Sequence, residues 1–291
     1  MKNEYVIITD STIDMTQEMA DKLDLKVIPL TFLMDQKEYE NHLDGREISS
    51  KDFYDLMRTG KKVTTAALNS SNYTEMCEPF LEEGKDILIL AFSSGLSTTY
   101  QSSLTAVSEL SEKYPDRKII TVDSTCASMG FGLLCYLAVQ QKNAEKNIDE
   151  CCEYVKSIIP NLCHWVTVDD LNNLKRSGRI SATTALVGSA IGIKPIIHMD
   201  DEGHLVNVTK VRGRVKSIEF LLDKLTKTGI NPSEQVVFIS HADCLEDAEL
   251  LAKLIKEKHG VKEVHISYIG PVIGSHIGPS TIALFFLGQE R

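Results

Sequence analysis

The 291-residue chain has no apolar run long enough to cross a bilayer as a helix. The longest nearly uninterrupted one, Met129 to Val139, spans eleven residues, against the roughly 18 that a membrane helix needs. The opening segment (MKNEYVII) carries an acid at Glu4 and runs directly into a strand-like stretch, with no apolar leader and no small-residue cleavage site. Both absences point to a cytoplasmic protein without integral membrane association. Positive charge is also scarce: 31 Lys and Arg stand against 41 Asp and Glu, a formal net charge of −10. That balance excludes a general affinity for nucleic acid or anionic lipid. The seven cysteines form no C-x-x-C pair and mostly sit in apolar stretches, so they read as reduced core residues and not as disulfides or zinc ligands.

Nucleotide and metal signatures are missing too. Gly60-Lys61-Lys62 lacks the earlier glycine and the Ser/Thr of a P-loop, and Gly130-x-Gly132 meets Cys135 where a third glycine belongs. There is no H-E-x-x-H pair and no EF-hand loop. What remains is a globular composition, 43% apolar and 25% charged, sufficient for one large domain or two ordinary ones.

The order of elements predicts an α/β fold of two domains, residues 1–160 with a largely parallel sheet flanked by helices and residues 161–291 with a mixed or antiparallel sheet. Tyr5–Thr9, Lys26–Met34, Asp86–Phe92 and Lys118–Val122 read as strands. Met15, Met19 and Leu23 mark one helical stripe, and helices are predicted from Ser49 to Gly60, from Tyr73 to Leu81 with Pro79 kinking or shortening it, around Leu104 to Leu110, and from Ser128 to Gln141. In the second half a hairpin is signalled by Pro195–Met199, the turn Asp200–Gly203 and His204–Val208. Helical stripes follow at Ile218–Leu225 and Leu250–Ile255, with strands at Val236–Ser240, Val264–Ile269 and Ile282–Leu287.

Three strand ends deliver hydroxyl-rich turns, and in a doubly wound sheet such turns converge on one crevice. Thr64-Thr65 and Ser93-Ser94 are the best candidates for an anion site at a helix N-terminus, with ordinary helix capping as the competing role. His276 lies in Gly270–Pro279, a glycine- and proline-rich segment read as an irregular loop, where close backbone approach would let an imidazole reach a ligand. Lys175, Arg176 and Arg179 end a short helix, and Lys210, Arg212, Arg214 and Lys216 would form a basic stripe if their segment is extended. His241-Ala242-Asp243, after a strand, is read as a helix start capped by Asp243, with a fragment of a ligand site as the competing role.

The same segments carry a resemblance. T-D-S-T-x-D (Thr9 to Asp14), S-S-G-L-S-x-T-Y-Q-S (Ser93 to Ser102), D-S-x-x-x-S-M-G-x-G (Asp123 to Gly132), L-x-x-L-K-R-S-G-R-I-S (Leu171 to Ser181) and G-S-H-x-G-P (Gly274 to Pro279) together resemble the DegV family of bacterial lipid-binding proteins. The resemblance implies a two-domain protein that holds a long-chain fatty acid at the domain interface. It also implies that the carboxylate is presented to a separate ATP-using kinase subunit, which makes an acyl-phosphate, so that the chain is a binding subunit with no cofactor of its own. By position, the head group is expected at Thr64 or Thr65, at Ser93 or Ser94, and at His276, with Arg179 and Arg212 supporting the site or facing the partner. Ala66-Ala67 stands where the family usually has Gln-Pro, and Ser280 where it generally has Gly. The alternative is a stand-alone phosphotransferase using the hydroxyl-lined crevice as a phosphate site.

Overall fold

The structure is a computed structural model that describes residues 4–181 and 192–291. Strand β1 (Tyr5–Asp10) is buried at every position, as a strand covered on both faces of a parallel sheet must be. A tight turn at Ser11–Ile13 and helix α1 (Gln17–Lys22) lead to β2 (Lys26–Ile28). The single strand predicted over Lys26–Met34 is broken in two. Pro29 has no N–H to donate to a ladder, and beyond it β3 (Thr31–Met34) leaves for a separate antiparallel sheet with β4 (Lys37–Glu40) and β5 (Val63–Thr65), in the order β4-β3-β5. This small sheet was not anticipated from the sequence.

Ser49 caps helix α2 (Ser50–Arg58) by accepting from the Asp52 N–H at 3.1 Å. Helix α3 (Ser70–Glu82) starts on an Asn69–Asn72 capping box and passes through Pro79 without being shortened. Pro79 sits in the last turn, where only one backbone bond is forfeited. Strands β6 (Asp86–Ala91) and β7 (Ile119–Asp123), separated by α4 (Thr99–Lys113), complete the parallel sheet in the order β2-β1-β6-β7.

Helix α5 (Ser128–Asn143) is apolar on nearly every side and buried through most of its length, the mark of a central helix. It packs on the Ser11–Ile13 turn and on α6 (Ile148–Ile158) on one side, and on the second sheet on the other. That sheet is six-stranded and mixed, β10-β9-β8-β13-β11-β12, built from β8 (Leu162–Thr167), β9 (Ile193–Met199), β10 (Leu205–Arg212), β11 (Val237–His241), β12 (Val264–Tyr268) and β13 (Ile282–Leu287). Among its described strands only β11 and β12 pair in parallel. Helices α8 (Arg214–Thr228) and α9 (Leu245–His259) cover its outer face over a second apolar cluster that includes Ile218, Leu221, Ile239, Leu251 and Leu284, and α7 (Asn172–Arg176) follows β8. The two-domain mixed α/β architecture is therefore as expected, and all seven thiols are unpaired, six of them buried.

Two expectations fail here. The Gly270–Pro279 segment is not irregular: Pro271–Ile277 forms a short helix, α10. Proline at the first helical position suits a helix start, because its missing N–H would be unsatisfied there anyway. The basic stripe is also split. Lys210 and Arg212 belong to β10, whereas Arg214 and Lys216 begin α8, and the turn between them at Gly213 has φ +96°.

A lined cavity between the halves

Because side chains alternate along a strand, Thr64 and Thr65 on β5 point opposite ways. Thr64 faces solvent opposite Leu33; Thr65, opposite Phe32, turns inward and places Oγ1 2.9 Å from His276 Nε2. His276 comes from the last turn of α10. Among the described residues its buried Nδ1 has no hydrogen-bond partner. Burial, and secondarily the positive charge of Arg179, pushes its pKa down to about 4, so the imidazole is neutral near pH 7. Arg179 follows α7 and is held by a 2.5 Å bond from Nη1 to the Ser177 carbonyl.

Thr65, Arg179 and His276 form part of the wall of a cavity of about 360 Å³, within the roughly 300–1,000 Å³ typical of ligand sites. Most of the wall is apolar, including Leu30, Phe92, Val166, Met199, Ile273 and Phe285. Ser94, Ser97 and Thr98 add hydroxyls, and the Ser94 N–H donates to Asp123 Oδ1 at 3.1 Å. A second hollow, about 580 Å³, lies between β2, β3 and α3 with Glu40, Asn69, Asn72 and Glu75 on its rim. Ala66 and Ala67 line both hollows, so Thr65 stands at the boundary between the apolar cavity and a surface cleft.

The remaining candidates fall elsewhere. Ser93 is fully buried, donating to the Gly203 carbonyl at 2.9 Å and accepting from the Gly95 N–H at 3.2 Å. It joins its loop to the β9–β10 turn and does not line the cavity. Neither hydroxyl pair sits at a helix N-terminus: Thr64-Thr65 end β5, and Ser93-Ser94 precede α4 by several residues. Arg212 is exposed at the end of β10, outside the cavity wall. Asp243 does not cap α9, whose N-cap is Cys244; its carboxylate pairs with Arg58 of α2 at 2.5 Å. Among the described residues, Glu40, His42 and Glu47 gather three ligand-type atoms within 4.8 Å, with Glu40 and His42 pairing directly at 2.8 Å, but none of them lines the cavity.

Residues 4–289 match the family model described as an uncharacterised protein of the DegV family. The chain belongs to the DegV family. A DegV domain-containing protein of Clostridium perfringens is 46% identical over 99% of both chains. A Thermotoga maritima structure described as a DegV lipid-binding protein superposes with a TM-score of 0.86 at 26% identity, covering 99% of each chain. A second T. maritima structure, described as revealing fatty acid binding function, gives a TM-score of 0.84 at 25% identity, covering 97% of this chain and 98% of that one.

The DegV motifs hold further residues of the wall to which sequence reasoning gave no role. Ser128 lines the cavity and donates from Oγ to Asp14 Oδ2 at 2.6 Å. Asp14 is buried, which pushes its carboxyl up to about 8; Asp10, also buried, is pushed up to about 6 and accepts from the Thr12 and Phe92 N–H groups. The opening T-D-S-T-x-D is thus a loop-fastening device. His164 of β8 lines the cavity as well. Its Nε2 accepts the Ala127 N–H at 3.2 Å, which leaves Nδ1–H to donate to the Leu162 carbonyl at 3.0 Å. Burial holds it neutral, and with both nitrogens engaged it serves as a flat wall. Ser280, the position where the resemblance led to the expectation of Gly, has φ +60°, the left-handed conformation that glycine adopts most cheaply.

Proposed function

We propose that this chain binds one long-chain fatty acid between an N-terminal unit (residues 1–160) and a C-terminal unit (residues 161–291). It presents the carboxylate to a separate ATP-dependent kinase subunit for acyl-phosphate formation. In this reading it is a binding subunit and not a complete enzyme, it works in the cytoplasm, and it has no role with nucleic acid. The observation that carries the reading is the Thr65–His276 pair, 2.9 Å apart with Arg179 beside it, set in the wall of a mostly apolar cavity.

The energetics divide the labour. About fifteen methylenes at roughly 0.8 kcal/mol each give about 12 kcal/mol of gross burial, whereas a hydrogen bond to a charged group nets about 1.5–3 kcal/mol. The apolar wall supplies affinity, and Thr65, Ser94 and His276 supply orientation. A neutral imidazole with one unpartnered nitrogen suits that task, since an arriving carboxylate offers the opposite charge that favours protonation of the ring. Arg179 adds a fixed positive charge. The surface cleft across Ala66-Ala67 is where the kinase reaches the head group, and exposed Arg212 belongs to the face that meets it. The two T. maritima relatives described as lipid-binding and fatty-acid-binding support the ligand class.

Native mass spectrometry of the purified protein incubated with oleate or palmitate tests the ligand. A one-to-one complex is expected, and bare protein alone overturns the reading. Acyl-phosphate is expected from ATP and fatty acid only when the kinase subunit is added. Its formation by this chain alone would favour the stand-alone phosphotransferase.

A further inference from the structure

The peptide unit joining Ile269 to Gly270 is held at both of its polar ends by side chains from the N-terminal half. Its carbonyl accepts the Tyr54 hydroxyl of α2 at 2.8 Å, and its N–H donates to Asp14 Oδ1 at 2.9 Å. Both side chains are almost completely buried, Tyr54 at 0% and Asp14 at 3% exposure, so neither bond competes with water. Gly270 is the N-cap of α10, whose last turn carries His276. The glycines of this segment are explained by the same grip: a Cβ on Gly270 would lie 2.7 Å from Asp14 Oδ1, and one on Gly274 would lie 2.4 Å from the Tyr54 hydroxyl oxygen. The second Asp14 oxygen takes the Ser128 hydroxyl at 2.6 Å, tying the same carboxyl to the start of α5 and the cavity wall.

We propose that Asp14 and Tyr54 are positioning residues for the head-group site: they fix the first peptide of α10 and through it hold the His276 imidazole against Thr65. This rests on the fatty-acid reading above and names what orients its central donor. At 1.5 Å of rise per residue, His276 sits roughly 9 Å along the helix from the gripped peptide. A modest tilt at the start therefore displaces the ring by an ångström or more, enough to break a hydrogen bond whose useful range ends near 3.2 Å. A position-holding role predicts loss of discrimination for the head group, whereas a purely structural role predicts uniform weakening.

The test compares palmitate with 1-hexadecanol, which has the same chain length and no carboxylate, by calorimetric or displacement binding. Tyr54→Phe deletes one hydroxyl and keeps the ring, and Asp14→Ala removes the other grip. Each is expected to lower palmitate affinity about three- to tenfold, the worth of one buried hydrogen bond, while hexadecanol affinity stays within about twofold. Asp14→Asn, whose amide oxygen still accepts the Gly270 N–H, is expected to restore palmitate binding to within about twofold of wild type. In a His276→Ala background Tyr54→Phe is expected to produce no further loss, because the two act on one interaction. Parallel loss for acid and alcohol, or an undiminished Tyr54→Phe effect without His276, overturns the proposal. If Asp14→Ala does not fold, the Tyr54→Phe cycle decides alone. A His276→Ala variant that binds both ligands as wild type does would overturn the head-group assignment itself.

Discussion

Thr64 and Thr65 are chemically identical neighbours that the strand sends to opposite sides, and Ser93 and Ser94 part in the same way because one hydroxyl is taken by the Gly203 carbonyl. Sequence placed both pairs at the site but could not choose within either, since the choice depends on partners more than a hundred residues away. Thr65→Ala is expected to weaken palmitate binding about ten- to a hundredfold, the range of a hydrogen bond to a charged group, and Thr64→Ala to leave it unchanged; titration calorimetry of the two variants decides. Asp14 makes a separate prediction about stability. Its folded-state pKa of about 8 lies above the ordinary carboxyl value of 3.8, so between those limits the folded chain keeps a proton that the unfolded chain releases. Stability from this group is therefore lost as pH rises from about 4 to about 8. Asp10 acts in the same direction up to about 6. His276, pushed down to about 4, acts in the opposite sense, costing stability as pH falls below about 6.5. Thermal melting across this range should show the Tm of Asp14→Asn rising relative to wild type with pH; a constant difference would contradict the assignment.

At the scale of elements, the parallel strands, the capped helices and the β9–β10 hairpin were legible because their periodicity and turn residues are local signals. The three-stranded sheet was not, because β4 and β5 are short and polar and owe their pairing to β3. Helix α10 escaped for another reason: glycine and proline argue against a helix in isolation, yet here Gly270 and Gly274 are demanded by the close approach of Asp14 and Tyr54. Gly130 of α5 poses the same constraint more severely, since a Cβ there would fall 2.2 Å from His164 Nε2 and 2.6 Å from Phe285. Both neighbours are buried, and the space open to them is the cavity whose wall they form. Gly130→Ala is expected to cost about 1–3 kcal/mol through overpacking, visible as a Tm several degrees lower in calorimetry, with fatty-acid capacity reduced because both displaced side chains line the cavity. An unchanged Tm would show that α5 can shift away from β8 freely.

At the scale of the whole molecule, the cavity draws its wall from both halves, with Leu30, Thr65 and Phe92 from one and Val166, Met199, His276 and Phe285 from the other. The sequence indicated that two domains exist, but the volume between them depends on how α5 and the six-stranded sheet pack, which no local pattern encodes. In a chain of net charge −10, Lys210 and Arg212 are two exposed cations at alternate positions of β10. Arg212→Glu is expected to abolish kinase-dependent acyl-phosphate formation while leaving fatty-acid binding intact, and equal loss of both would move Arg212 from the partner face to the site. A crystal structure of the oleate complex would locate the carboxylate: continuous density is expected through the cavity, with the carboxylate within hydrogen-bond distance of Thr65 Oγ1 and the His276 ring. Density in the opposite orientation, with the methyl end at Thr65 and His276, or an empty cavity at saturating oleate, would contradict this placement.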